Sequence, residues 1–131
     1  MGRVVTLVLD TSALIFRTLA PARLTAKAKA ACDRADRIVV SSISIWEIGL
    51  KVRNKALHLP MSLADYVTTL QGIRRLALTP VDTATWLDNL ALDWTHKDPA
   101  DRTIVATAQR LDAPLVTSDR TIRAFYSKAI W

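Results

Sequence analysis

A continuous apolar run rich in β-branched side chains, VVTLVL at residues 4–9, ends on an aspartate, Asp10. A strand with one wet face alternates apolar and polar residues. A run without that alternation predicts a strand buried on both faces, as in a parallel sheet covered by helices on each side. The rest of the chain repeats the theme. Residues 37–41, 76–78 and 114–117 read as further short strands, and residues 130–131 as the last. Between them lie helical stretches with their own start signals: Thr11 or Ser12 before residues up to 16, Thr25 before an Ala- and Lys-rich segment to 35, and Ser42 or Ser44 before a segment to about 54. Ser62, Asp82 and the Asp98–Pro99 pair open three more, to about 74, 94 and 111, and residues 119–125 form a last helical turn or two. Strands alternating with helices imply an α/β fold with a central parallel sheet built from right-handed crossovers.

Three glycines, no linker-like tract and no internal repeat make residues 1–131 read as one domain. Cys32 is the single cysteine, which excludes an intramolecular disulfide and a cysteine-held zinc. The N-terminal apolar run is too short for a membrane span or a secretory leader, so the expected setting is soluble and cytoplasmic. The formal charge of +6 is unevenly placed: residues 1–55 carry ten basic residues against four acids, and the remainder carries eight of each sign. A clustered basic excess suits a polyanionic partner, although a solvated surface would look the same.

Ligands of open parallel sheets bind outside the carboxyl ends of the strands. At those positions stand Asp10, Asp119 and, on the helix after the second strand, Glu47; Asp98 and Asp101 open the helix before the 114–117 strand. Each has a plain alternative. Asp10, Asp98 and Asp119 can be helix caps, Asp101 can answer a helix dipole, and Glu47 can pair with Lys51 one turn on. Taken together the acids ask for more. Glu47 is the only glutamate, set among Ile43, Ile45, Trp46, Ile48 and Leu50. A carboxylate in such company requires a cation or water. Carboxylates converging on one crevice repel, and a hard divalent cation with all-oxygen ligands, Mg²⁺ or Mn²⁺, is the usual remedy. Such an ion activates water and offsets the charge of a phosphodiester.

The motifs that carry these acids resemble a known family. LDTSALI at residues 9–15, SSISIWEIGLKV at 41–52, HKDPADRTIVATA at 96–108 and PLVTSDRTI at 114–122 are similar, in this order, to the four motifs of PIN-domain ribonucleases. WEIGLKV and DPADR look most like the VapC toxins among them. The resemblance implies a three-layer α/β/α sandwich, Mg²⁺- or Mn²⁺-dependent endoribonuclease activity, a VapB-like antitoxin partner and a homodimer. Carried over by motif, the acidic quartet is Asp10, Glu47, Asp101 and Asp119. Asp98 is a supporting acid, Thr117 or Ser118 a hydrogen-bonding partner of a ligand carboxylate, and Lys51, Arg53 and Arg102 the contacts to RNA.

Two other classes compete. A phosphoaspartyl phosphatase or receiver-type domain would use Asp10 as nucleophile, but the position two residues on is Ser12, and no acid precedes Asp10. A non-catalytic RNA-binding module would leave the acids as caps, with few aromatics to stack bases. Trp46, Trp86 and Trp94 read instead as core or interface.

Overall fold

The computed structural model describes residues 3–131; Met1 and Gly2 of the expected 1–131 domain lie outside them. Five strands form one parallel sheet: β1 (Thr6–Leu9), β2 (Arg37–Ser41), β3 (Leu76–Thr79), β4 (Leu115–Val116) and β5 (Ala129–Ile130). Their spatial order is β3-β2-β1-β4-β5. Each β1 residue from Thr6 to Leu9 faces one of β2 from Arg37 to Val40. On its other side β1 meets β4 through Val8–Leu115 and Leu9–Val116.

Alternation along the strands feeds two cores. Leu7, Leu9, Ile38, Val40 and Val116 point to one face, where they meet Ala13 and Leu14 of α1 (Thr11–Leu19), Ala28 and Cys32 of α2 (Ala26–Arg34), Ile48 of α3 (Ile43–Arg53), and Tyr66 and Leu70 of α4 (Leu63–Gln71). Val8, Val39 and Leu115 point to the other. There they meet Ile104, Val105 and Ala108 of α6 (Pro99–Arg110) and Ile122 of α7 (Arg120–Phe125). α5 (Thr83–Ala91) packs on α6. The sheet is therefore covered on both faces, as the unbroken apolar run predicts. Among the described residues no helix is long and apolar enough to cross a membrane.

Most start signals act where the sequence places them: Thr25, Ser62, Asp82 and Asp98 each accept a backbone N–H from the first turn of their helix. Several boundaries differ: α4 stops at Gln71 and α5 at Ala91, each about three residues early, β4 is only Leu115–Val116 and β5 is Ala129–Ile130. The first strand begins at Thr6, and Val4 and Val5 are exposed: the Val5 backbone is bonded to Asp36 and Arg37, but neither side chain joins a core. Asp10, not Thr11 or Ser12, caps α1, which runs on to Leu19. A single 3₁₀ turn, Pro21–Arg23, was not expected; Pro21 fixes its first φ.

Candidate active site

The strand order fixes where a site can lie. β1 is flanked by β2 and β4, so the connections leaving β1 and β4 diverge to opposite faces and open a crevice beyond their carboxyl ends. The chain after β1 starts with Asp10, and the chain after β4 runs through Thr117 and Ser118 to Asp119.

Asp10 is 4 % exposed. One oxygen accepts the Ala13 N–H at 2.8 Å, so the residue does cap its helix. Capping does not settle its charge. Burial lifts its carboxyl from 3.8 to about 6. The Thr117 hydroxyl and the Ala13 N–H pull it down, while Asp101 and Asp119 push it up further. Thr117 is fully buried, and its oxygen also receives the Asp119 N–H at 3.0 Å. Asp119 in turn caps α7 through the Ile122 N–H at 3.0 Å. Ser118 makes no side-chain hydrogen bond among the described residues, whereas the Thr117 side chain bears on the Asp10 carboxyl and bonds the Asp119 backbone N–H.

Glu47 is half-buried on α3 and points back toward α1, where the Thr11 hydroxyl donates to it. Thr11 is buried and also shares a 2.9 Å hydrogen bond with Ser44, one turn before Glu47 on the same helix face. Burial raises the Glu47 carboxyl above its ordinary range against the Thr11 bond, and Asp101 and Asp98 add to the rise. The alternative pairing with Lys51 is not made; Lys51 exerts only a weak downward pull, and both residues line a shared cavity with Asp98.

Asp101 stands in the first turn of α6, its N–H held by the cap residue Asp98 at 3.0 Å. One carboxylate oxygen meets His96 Nε2 at 2.8 Å. Burial raises its pKa too, opposed by His96 and reinforced by Asp98 and Asp119. Asp10, Glu47, Asp98, Asp101 and Asp119 thus lie in one another's fields, and three of them are desolvated enough to resist ionisation.

That donor set fits a hard divalent cation: its carboxylates are all oxygen and negatively charged, and Lys51, which lines the same cavity as Glu47 and Asp98, pairs with neither. As they stand, no three carboxylate, imidazole or thiol groups among the described residues are gathered tightly enough to hold one. The fit therefore lies in chemistry and charge, and an ion would have to draw the side chains inward.

The expected contacts to RNA divide. Lys51 lines the acid-side cavity and Arg53 is exposed on the last turn of α3. Arg102 is a correction. Its guanidinium donates through Nε to the Asn89 side chain and through its two terminal nitrogens to the carbonyls of Trp94, His96, Asn89 and Leu92. All five of its N–H donors are occupied, so it ties the α5–α6 connection together and has none left for phosphate. Thr11, Ser44 and His96 are site residues that sequence reasoning missed. Ser44 had a signal, three residues before Glu47 on a helix. Thr11 and His96 had none, because their partners are 36 and 5 residues away across non-helical chain.

Comparison with known proteins bears on the fold and the family. The PIN domain model matches residues 7–128. The chain is 31 % identical over 121 residues to ribonuclease VapC22 of Mycobacterium tuberculosis, covering 91 % of each chain. Among solved structures, a toxin–antitoxin complex from Klebsiella pneumoniae superposes with a TM-score of 0.65 at 18 % identity, covering 95 % of both chains. VapC20 of Mycobacterium tuberculosis, a sarcin–ricin-loop-cleaving toxin, gives 0.64 at 15 %, covering 90 % of this chain and 93 % of that one. The fold, the four motifs and these likenesses agree: the chain belongs to the PIN-domain family and is VapC-like within it.

Proposed function

We propose that the chain is a divalent-metal-dependent endoribonuclease, using Mg²⁺ or Mn²⁺, and the toxin of a toxin–antitoxin pair. The observation that carries this reading is the group of desolvated carboxylates at the β1/β4 crevice, each raising the proton affinity of the next. Asp10 and Asp101 would be direct ligands, with Asp119 and Glu47 completing the site and Asp98 supporting it. A bound ion would supply charge neutralisation at the phosphodiester and a more acidic water.

The chain's own residues do the rest. Thr117 holds Asp10, the Thr11–Ser44 pair holds Glu47, and His96 holds Asp101, so that each carboxylate is presented in one orientation. Glu47, kept basic by burial, is suited to take a proton from the attacking water. Lys51 and Arg53, which have no acidic partner among the described residues, hold the RNA backbone. In-line attack leaves a 3′-hydroxyl and a 5′-phosphate.

The same reading includes a VapB-like antitoxin, a homodimer and a cytoplasmic setting. Support for the antitoxin comes from relatives solved in such complexes, one from Klebsiella pneumoniae and another, VapBC2, from Rickettsia felis. The test of the enzyme is direct. The purified chain should cut RNA with Mg²⁺ or Mn²⁺, lose this in excess chelator, and lose it in Asp10→Asn and in Asp101→Asn. Full cleavage in chelator, or in both variants, overturns the proposal.

A further inference from the structure

One side of the acid crevice is built from aromatic rings rather than carboxylates. Trp94 stacks on Phe125 of α7 with ring centroids 4.5 Å apart and planes 11° from parallel. The His96 ring lies 4.8 Å from Trp94, and its Nε2 is the group bound to Asp101. The Trp94–Phe125 stack is thus followed by a tilted His96 ring, 43° from the Trp94 plane, that ends on an acid of the candidate site. Trp94 and Phe125 pack partly against the core, and both also line an open cavity of about 510 Å³ completed by Arg120, Thr121 and Ala124. Its size falls within the range of small-ligand sites, about 300–1,000 Å³. Arg120 follows Asp119 directly, is exposed, and has no acidic partner among the described residues.

We propose that this cavity is a nucleobase subsite: one base of the RNA packs on the part of Trp94 and Phe125 that faces the cavity, outside their mutual stack, while Arg120 takes a phosphate of the same nucleotide, which sets the neighbouring phosphodiester over the acids. Aromatic surface beside an unpaired cation, on a path that tracks a backbone, is the arrangement that binds single-stranded nucleic acid. Stacking of this kind tolerates any base, because every base has a π-face. This row of rings explains why His96 and Trp94 are held so firmly: Arg102 fixes the backbone carbonyls of both, at 3.0 and 2.6 Å. The inference rests on the RNA-cleaving reading but concerns a different surface from the carboxylates.

The probes are adenosine, cytidine, guanosine and uridine 5′-monophosphates, with ribose 5-phosphate as the control that has phosphate and no base. In NMR titrations of the whole chain, the Trp94 indole N–H, assigned by its loss in Trp94→Phe, should shift with every nucleotide. Ribose 5-phosphate should bind about tenfold more weakly, the ratio that stacking of one base implies. Arg120→Gln should weaken nucleotide and ribose phosphate alike. Thr121→Leu, at an exposed position on the cavity wall, should narrow it with a side chain that offers no π-face and abolish the nucleotide shift without unfolding the chain. In cleavage assays both variants should raise KM about tenfold and leave kcat within about twofold. A Trp94 shift in a chain that never cuts RNA would keep the subsite and remove the ribonuclease reading. Cleavage with no Trp94 shift, or equal binding of nucleotide and ribose 5-phosphate, would remove the subsite and keep the ribonuclease.

Discussion

Asp10 joins two roles that pull its chemistry in opposite directions. As a cap it is favoured as an anion, since it accepts the Ala13 N–H; as a buried group among other acids it is favoured neutral, and burial wins, at about 6. The consequence for stability follows from the sign of that difference. A carboxyl whose folded pKa exceeds its unfolded 3.8 costs nothing while both states are protonated, and the cost develops as pH rises from about 4 through 6. At neutral pH without metal the penalty is about 3 kcal/mol. Asp10→Asn keeps a good capping side chain and removes the charge. In chelator at pH 7 the variant should be more stable than the parent by about 1–3 kcal/mol, a gain that disappears by pH 4. Urea midpoints at the two pH values check this. An unchanged midpoint at pH 7 would mean that Asp10 is better solvated than its 4 % exposure implies. With Mg²⁺ present the order should reverse, because the parent alone gains from the ion.

At the scale of elements, the connection between α5 and α6 shows what a sequence conceals. Arg102 lies inside a family motif beside Asp101, and in a basic chain it reads as a contact to RNA. The fold instead wraps residues 89–96 round its guanidinium. Arg102→Lys preserves the charge but replaces a planar fork by a single ammonium, leaving buried carbonyls without donors. It should lower stability by about 3 kcal/mol. Single-stranded RNA affinity, measured by anisotropy on the folded fraction, should stay within about twofold. A large loss of affinity with stability intact would return Arg102 to the RNA surface. By contrast the sheet was largely legible, because β1 and β2 announce themselves by β-branched apolar runs and most of the helices by a capping side chain, and those signals are local. The acids of the site were legible for the same reason: Asp10 and Asp119 follow strands, and Asp98 and Asp101 open a helix. Their supporting residues were not, because Thr11 meets Glu47 across two elements and His96 reaches Asp101 from an irregular segment. The exposed Val4 and Val5 mislead in the opposite sense, since propensity extends the strand past the point where its side chains join a core, although the Val5 backbone is still bonded to Asp36 and Arg37.

At the scale of the whole molecule, part of the apolar surface that remains adjoins the acids. Trp46 and Trp86 are 57 % and 43 % exposed and line a cavity of about 380 Å³ with Ser42, Ile43, Val81 and Pro99. Trp46 and Pro99 also belong to the neighbouring cavity that contains Glu47, Lys51 and Asp98, so apolar ground runs directly into the acidic edge. Leu87 and Leu90 stand out from α5 at 63 % and 76 % exposure, and the expected homodimer needs such a surface. Leu87→Glu with Leu90→Glu should give a monomer by light scattering at micromolar concentration, whereas a parent that is itself monomeric would rule the dimer out. The continuity of the Trp46 surface with the acids gives the antitoxin its chemistry. An amphipathic segment can seat its apolar side chains against Trp46 and Trp86. The residue that follows is then carried to Glu47, Asp101 and Asp10, where an arginine fork can bond two carboxylate oxygens at once and supply the positive charge that these raised pKa values lack. Inhibition by this route excludes metal and RNA together. It predicts that replacing that arginine of the partner by Ala restores RNA cleavage in the purified complex while the complex stays assembled, since the apolar contacts remain. Trp86→Glu in the toxin, on the apolar side of that surface and outside the acid-side cavity, should instead lower affinity for the partner by at least tenfold and leave cleavage by the free toxin unchanged. If the arginine variant inhibits as well as its parent, the block lies at the apolar surface alone and the acids are merely covered.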